Sequence, residues 1–98
     1  MQLTELSGRA PQLPLTLALE NGQSLVIEQW LRVLPGQRYV GQAQWQGRRV
    51  LAKILLGNKA ARQFTREHAG AKLLAEQQIP SALLLDAQQQ TDSAYLLF

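Results

Sequence analysis

Apolar and polar residues alternate in several short segments of the chain, and a period of two is typical of β-strands. Leucines occupy every second position over residues 15–19, and a turn sequence with Asn-Gly at its centre follows at 20–23. Asn-Gly between two apolar segments predicts a β-hairpin. We predict the return strand over residues 24–34, with a bulge or bend near Gln29, because Trp30 interrupts the strict alternation.

Two more strands are predicted before the middle of the chain. The Pro-Gly-Gln segment 35–37 separates the second strand from a third over residues 38–46, and a tight turn at 46–48 leads into a fourth over 49–56. Alternate side chains of a strand point to opposite faces of the sheet. In the fourth strand one face carries Val50, Ala52 and Ile54, and the other carries Leu51, Lys53 and Leu55. Because both faces are largely apolar, we expect a central strand.

A helix is predicted after the fourth strand. It begins near Gly57, with Asn58 as the N-cap candidate, and ends near residues 77–78, because Pro80 disfavours helical backbone at the residue before it. On a helical wheel the apolar residues of this segment form one stripe, made of Ala60, Phe64, Ala71 and Leu74. Glu67 falls in the middle of that stripe.

Two final strands, over residues 83–88 and 93–98, are predicted on either side of a turn at 89–92. The predicted order is β-β-β-β-α-β-β. Such an order gives an α+β fold, an antiparallel sheet of about five to six strands with one long helix packed on it. Residues 1–14 contain two prolines and little periodicity, so we interpret them as an irregular lead-in to a folded domain over 15–98.

The composition limits the possible classes of protein. The chain has 98 residues, 46% of them apolar and 17% charged, which fits one small globular domain or a piece of a larger protein. A single histidine and no cysteine argue against a zinc site within one chain, so we predict no metal ligands. A net charge of +3 is slight for a nucleic-acid binder, and we rank that function last; its candidate contacts are Arg32, Arg38, Arg48 and Arg49.

Targeting signals are not visible in the sequence. The first six residues contain neither a basic segment nor an apolar core of the kind that secretory signals carry. No apolar run approaches the roughly 20 residues needed to cross a bilayer. We therefore expect a cytoplasmic protein without a transmembrane segment.

The most informative chemistry is a lysine inside the fourth predicted strand. A charged group among apolar residues is costly unless an opposite charge pairs with it. Glu67 lies where a helix packed on the sheet would otherwise carry an apolar residue, so we predict that Lys53 and Glu67 meet. Protein kinases use this arrangement, in which a strand lysine is held by a helix glutamate and contacts the phosphates of the nucleotide.

With these features the chain resembles the N-terminal lobe of the protein-kinase-like superfamily. Within that superfamily it is most similar to the bacterial lipopolysaccharide kinases, which phosphorylate the heptose or Kdo sugars of the inner core. The resemblance covers about residues 24–98. It is carried by the glycine-bearing segment 35–41, the strand 49–55, the helix around residues 66–70, and the Ile-Pro at 79–80 that leads into three leucines.

The resemblance implies an ATP site in this lobe. Lys53 would hold the α- and β-phosphates of ATP, and Glu67 would orient Lys53. Gly36 and Gly41 would match the first and last glycines of a G-x-G-x-x-G loop that covers the phosphates. Arg38 occupies the middle glycine position, where it would either crowd an approaching phosphate or contact it.

The resemblance also implies what must lie elsewhere. No H-R-D-type catalytic loop and no D-F-G segment occurs in the chain, so we expect the catalytic residues and the Mg²⁺ ligands beyond residue 98, and the 98 residues alone to be inactive. Asp86 and Asp92 are interpreted as a strand-end cap and a turn residue. A C-terminal lobe or a partner protein would cover the apolar segments 83–85 and 96–98.

A second hypothesis is a non-catalytic protein-interaction module with the same kinase-lobe-like fold. It would be favoured if Lys53 and Glu67 were far apart or both exposed. In the kinase hypothesis the partners are ATP with Mg²⁺ and a lipopolysaccharide acceptor, and such an acceptor would bring the protein to the membrane surface without a transmembrane segment.

Overall fold

The computed structural model describes residues 1–8, 11–78 and 82–98. Over these residues the chain forms a six-stranded antiparallel sheet and one α-helix, which confirms the α+β class. The order differs from the prediction because a short 3-10 helix at Leu3–Glu5 precedes the first strand. The remaining elements are β1 (Leu15–Ala18), β2 (Ser24–Leu34), β3 (Arg38–Trp45), β4 (Arg48–Leu56), α1 (Ala60–Glu76), β5 (Asp86–Gln90) and β6 (Ser93–Leu97).

The strands lie side by side in the order β1-β2-β3-β4-β6-β5. The last strand of the chain is therefore inserted between β4 and β5, and it pairs antiparallel with both. This places β4 between β3 and β6, so the prediction of a central strand is confirmed. Lys53 of β4 pairs with Val40 of β3 on one side and with Leu96 of β6 on the other.

The pairing of β2 with β3 is irregular where the sequence predicts a bulge. The register shifts once between Ile27 and Gln29 and again between Trp30 and Arg32. A bulge increases the local twist of a strand. Gly41 of β3 lies against this irregular segment, and a Cβ added to it would come within 2.7 Å of the Gln29 carbonyl oxygen and 3.1 Å of the Trp30 ring. The glycine is thus required by close packing between the two strands.

The two faces of the sheet pack against different parts of the molecule. One face encloses the main core, which includes Val50, Ala52 and Ile54 of β4 together with residues of β1, β2 and β6. The opposite face carries Leu55 and Leu96, which pack against Ala60 and Phe64 of α1. The predicted division of β4 side chains between two faces is therefore confirmed.

The helix packs on the sheet through its first half. Ala60 is buried, whereas Leu73 and Leu74 in the second half are exposed. The N-cap is Lys59, and no side chain of the described residues caps the helix, so the prediction of Asn58 as the cap is wrong. Instead the backbone turns at Gly57, whose carbonyl accepts the Ala60 N–H. The helix ends at about the predicted position, although Pro80, from which that end was argued, lies outside the described residues.

The lead-in segment contributes to the main core. Leu3 and Leu6 are buried within it. The Ala18 N–H donates to the Met1 carbonyl, and Gln2 forms an isolated parallel bridge with Ala18 at the edge of the sheet. The first residues are therefore anchored to β1 by hydrogen bonds and by buried leucines.

The β1–β2 hairpin reaches the β5–β6 turn although the two lie at opposite ends of the strand order. The Glu20 N–H donates to the Gln90 side chain, and the Thr91 N–H donates to the Glu20 carboxylate, with lengths of 2.8 and 2.9 Å. Asp92 turns the chain between β5 and β6 with a φ of 56°, in agreement with its predicted turn role. These contacts show that the sheet is curled.

The buried Tyr95 hydroxyl of β6 links β5 to the β1–β2 hairpin. The Tyr95 hydroxyl donates to an Asp86 carboxylate oxygen at 2.9 Å and accepts from the Asn21 amide at 3.2 Å. Asp86 is the first residue of β5, and its other oxygen accepts the Ala87 N–H, as expected of a strand-end cap. The strand itself begins three positions later than predicted. Within the described part of the chain, no helix is long and apolar enough to cross a membrane.

Candidate functional site

The predicted pair of charges is formed on the helix side of the sheet. The Lys53 ammonium lies 3.2 Å from Glu67 Oε1 and donates a hydrogen bond to it. Lys53 lies in the middle of the central strand, and Glu67 projects from the middle of the packed helix. Strand alternation fixes the face of the first residue, and the helical period fixes the face of the second.

Arg38, at the start of β3, contacts the same carboxylate. Its Nη2 atom lies 3.0 Å from Glu67 Oε1, so one oxygen accepts from two cations. The sequence predicts Arg38 as a phosphate contact and misses this ion pair. The register of β3 on β4 explains the contact, because Arg38 pairs with Leu55 and therefore lies on the same face as Lys53. The tight turn at 46–48 is the sequence signal from which that register could have been found.

The three charged side chains are partly buried. The exposed fractions are 31% for Arg38, 26% for Lys53 and 22% for Glu67. Two positive charges face one negative charge, which leaves the cluster with one positive charge in excess. Two buried polar atoms of the cluster, Arg38 Nε and Glu67 Oε2, have no hydrogen-bond partner among the described residues.

One aromatic ring lies beside this cluster, and two more stack on each other on the helix that carries Glu67. The Lys53 ammonium lies 5.2 Å from the centre of the Phe98 ring, within the range of a cation–π interaction. On the helix, the His68 ring stacks on Phe64 with 5.5 Å between ring centres. His68 is therefore a stacked, exposed residue at the margin of the helix–sheet contact.

The two glycines predicted to cover phosphate lie in different environments. Gly36 is in the tight turn between β2 and β3, with a φ of +73°, and its N–H donates to the Tyr39 hydroxyl. Gly41 lies within β3 opposite Ala52, on the face of the main core and away from Lys53. The connection between the two strands is the three-residue turn 35–37, as predicted, and Gly41 lies beyond it within β3. A phosphate role for either glycine stays a prediction.

Two cavities among the described residues lie away from the charged cluster. The larger has a volume of about 590 Å³ and is bordered by the lead-in, the β1–β2 hairpin and the β5–β6 turn. A second, of about 250 Å³, lies between the β2–β3 turn and the start of α1. Gly36 lines both, but Lys53, Glu67, Arg38 and Gly41 line neither. The charged cluster is therefore a site on the surface of the sheet beside the helix.

Chemically, the cluster can bind an anion. Its ammonium and guanidinium groups are partly exposed donors, and a guanidinium pairs well with phosphate or carboxylate groups. Among residues 1–8, 11–78 and 82–98, no group of three or more histidine, aspartate or glutamate side chains is placed to hold a metal ion. Comparison of the chain with protein-family models, with curated proteins and with solved structures finds no match.

Proposed function

We propose that this chain is the ATP-binding lobe of an atypical bacterial kinase that phosphorylates a sugar of the lipopolysaccharide core. The observation that carries the proposal is the Lys53–Glu67 pair, which joins the central strand to the packed helix at 3.2 Å. Kinases need this pair to position the nucleotide phosphates. A lysine–glutamate pair that only stabilises the fold would show the same geometry, so the proposal is tested by measuring nucleotide binding.

The proposal gives each residue of the cluster a role. Lys53 donates to the α- and β-phosphates, and Glu67 keeps the lysine side chain in the orientation that reaches them. Both side chains are partly exposed, which leaves them accessible to a ligand. ATP supplies the phosphoryl group that passes to a sugar hydroxyl. The Mg²⁺ ligands and the base that accepts the hydroxyl proton are proposed to lie outside these residues.

The ATP part of the proposal is tested by titrating MgATP into nitrogen-15-labelled protein and following the backbone amide resonances. We expect the shifts to concentrate on residues 36–41 and Lys53, and the Lys53→Met variant to bind at least about tenfold more weakly, the loss of one charge-assisted contact. Lys72→Met is the matched control, because Lys72 is exposed on the helix. Equal binding by Lys53→Met and the unchanged protein, or shifts centred elsewhere, would overturn the proposal.

The acceptor part rests on the sequence resemblance and needs its own experiment. Lys53→Met in the chromosomal gene of the source bacterium is expected to remove one phosphate from the lipopolysaccharide core. Mass spectrometry of the purified core measures that loss, and Lys72→Met is again the control. An unchanged core in a strain that makes the Lys53→Met protein at the normal level would eliminate this acceptor while leaving ATP binding to be judged separately.

The alternative, a non-catalytic interaction module, is favoured by the exposed leucines of the second half of α1 and the segment after it. Leu73 is 55% exposed and Leu83 is 70% exposed. The condition that would have favoured the module, that Lys53 and Glu67 are far apart or both exposed, is not met, because they are paired and partly buried. A kinase lobe would also expose leucines in this chain, because its C-terminal lobe is expected to cover them. The MgATP titration therefore decides between the two hypotheses.

A further inference from the structure

The Glu67 cluster contains more donors than its single carboxylate satisfies. Guanidinium and ammonium groups each carry several N–H donors. Here Arg38 and Lys53 each donate once, and both donate to Oε1 of Glu67. An arginine in its preferred arrangement would use two nitrogens on two carboxylate oxygens. The contact between Arg38 and Glu67 uses one nitrogen and one oxygen, and Arg38 Nε and Glu67 Oε2 remain without partners among the described residues.

This geometry makes Arg38 the more easily displaced of the two cations. Its side chain is the most exposed of the three, at 31%. Lys53 is held additionally by its position over the Phe98 ring and by the central strand that carries it. Arg38 is the first residue of β3, directly after the β2–β3 turn, whereas Lys53 lies in the middle of β4.

We infer that a polyphosphate anion takes Arg38 from Glu67, so that Arg38 and Lys53 together bind the anion while Glu67 keeps its contact with Lys53. In the free chain Glu67 thus acts as a latch, meaning that it holds the Arg38 side chain until the anion replaces this contact. The excess positive charge of the cluster favours an anion with several negative charges, and the planar guanidinium suits phosphate oxygens. The inference deepens the proposed function and rests on it for the identification of the anion as the phosphates of ATP.

The exchange has a structural consequence at the β2–β3 turn. The bond from Arg38 to Glu67 ties the start of β3 to the middle of α1. When the anion takes over Arg38, that tie is replaced by a contact through the ligand. The turn at 35–37 is then positioned by the bound phosphates, whereas the Lys53–Glu67 bond continues to hold the helix to β4.

The test uses inorganic tripolyphosphate, which carries the phosphate chemistry without a nucleoside. The probe is the Nε–H resonance of Arg38 in nitrogen-15-labelled protein, assigned by its loss in Arg38→Gln. We expect tripolyphosphate to shift this resonance, and Arg38→Gln to bind the anion about tenfold more weakly, as for loss of one charge-assisted hydrogen bond. The control is Arg48→Gln, which removes an equal charge from an exposed position and should stay within about twofold of the unchanged protein.

A second variant separates a latch from a simple positioning role. If Glu67 competes with the anion for Arg38, Glu67→Gln binds tripolyphosphate as tightly as the unchanged protein or more tightly. If Glu67 only positions the cations for the anion, Glu67→Gln binds more weakly, and the latch is overturned. An Arg38 Nε–H resonance that does not move at saturating tripolyphosphate would overturn the exchange in the unchanged protein, without any variant.

The outcomes also separate this inference from the proposed function. MgATP binding that depends on Lys53 but is unaffected in Arg38→Gln would support the ATP site and overturn the role of Arg38. Tripolyphosphate binding through Arg38, with MgATP bound no more tightly than tripolyphosphate, would support the exchange and overturn the nucleotide site.

Discussion

Lys53 of β4 and Glu67 of α1 are joined by a hydrogen bond of 3.2 Å that links the centre of the sheet to the helix packed on it. About a quarter of each side chain is exposed. The contribution of this ion pair to the free energy of unfolding should therefore be larger than that of a fully exposed pair and smaller than that of a buried pair. Its contribution to stability and its role in binding can therefore be measured separately.

Replacing Glu67 with glutamine should destabilise the fold moderately. The change leaves the partly buried cations Arg38 and Lys53 without a counter-charge, so we expect the free energy of unfolding to fall by about 1–2 kcal/mol, between the values for surface and buried pairs. Urea denaturation measures the difference. Glu76→Gln is the matched control, because Glu76 is exposed and forms no ion pair with the described residues. Equal stability of the two variants would show that the Glu67 cluster contributes nothing to folding.

Two glycine substitutions should change stability in opposite directions. Gly41→Ala places a Cβ 2.7 Å from the Gln29 carbonyl oxygen, so we expect a loss of about 1–3 kcal/mol from overpacking. Gly70→Ala lies in the helix interior, where the added Cβ meets no atom of the described residues within 4 Å. A gain of about 0.5–1 kcal/mol is expected there from helix propensity. Thermal and urea unfolding of both variants check the signs, and a tolerated Gly41→Ala would contradict the packing explanation of this glycine.

The two ion pairs of Glu67 differ in how far the sequence could predict them. The Lys53–Glu67 contact was predictable because two local periods, of the strand and of the helix, decide which face each side chain takes. The contact of Arg38 was missed because it depends on the register of β3 against β4, which the turn at 46–48 sets and which the pattern of either strand alone does not show.

The ends of the chain are the less predictable part of the fold. Leu3 and Leu6 lie in a segment without periodicity, and their burial follows from tertiary packing against the curled sheet. The start of β5 was predicted three positions too early because its three preceding leucines resemble a strand, whereas β6 offers pairing partners to β5 from Asp86 onward. The helix start was misplaced because Gly57 lets the backbone turn without the Asn58 cap.

Removing the Tyr95 hydroxyl should weaken the contact that closes the sheet. Tyr95→Phe leaves Asp86 Oδ2 without its donor, and the Asn21 amide keeps only its bond to the Gln23 side chain. We expect a loss of about 1–2 kcal/mol at neutral pH, the cost of unsatisfied partly buried groups. Urea denaturation at pH 7 measures it, and an unchanged midpoint would mean that water replaces the hydroxyl at no cost.

The same hydroxyl predicts a dependence of stability on pH. Burial, reinforced by the hydrogen bond and charge of Asp86, raises the pKa of Tyr95 above its ordinary value. The unfolded chain loses this proton at about pH 10, while the folded chain keeps it, so this contribution to stability is complete below about pH 10 and falls as the pH rises further. The unchanged protein should therefore lose its advantage over Tyr95→Phe between about pH 10 and 11. A constant difference over that interval would contradict the raised pKa.

The lead-in should be essential to the stability of the fold. Leu3 is 1% exposed and belongs to the main core, so Leu3→Ala removes buried apolar contacts and leaves space that the 3-10 helix can fill only in part. We expect a loss of about 2 kcal/mol or more. Leu31→Ala makes the same chemical change on β2 at a side chain that is 51% exposed, and should cost no more than about 0.5 kcal/mol. Urea denaturation of both variants compares them directly. If the two losses were equal, Leu3 would not be part of the folded core in solution, and residues 1–8 would be an accessory to a domain that folds without them.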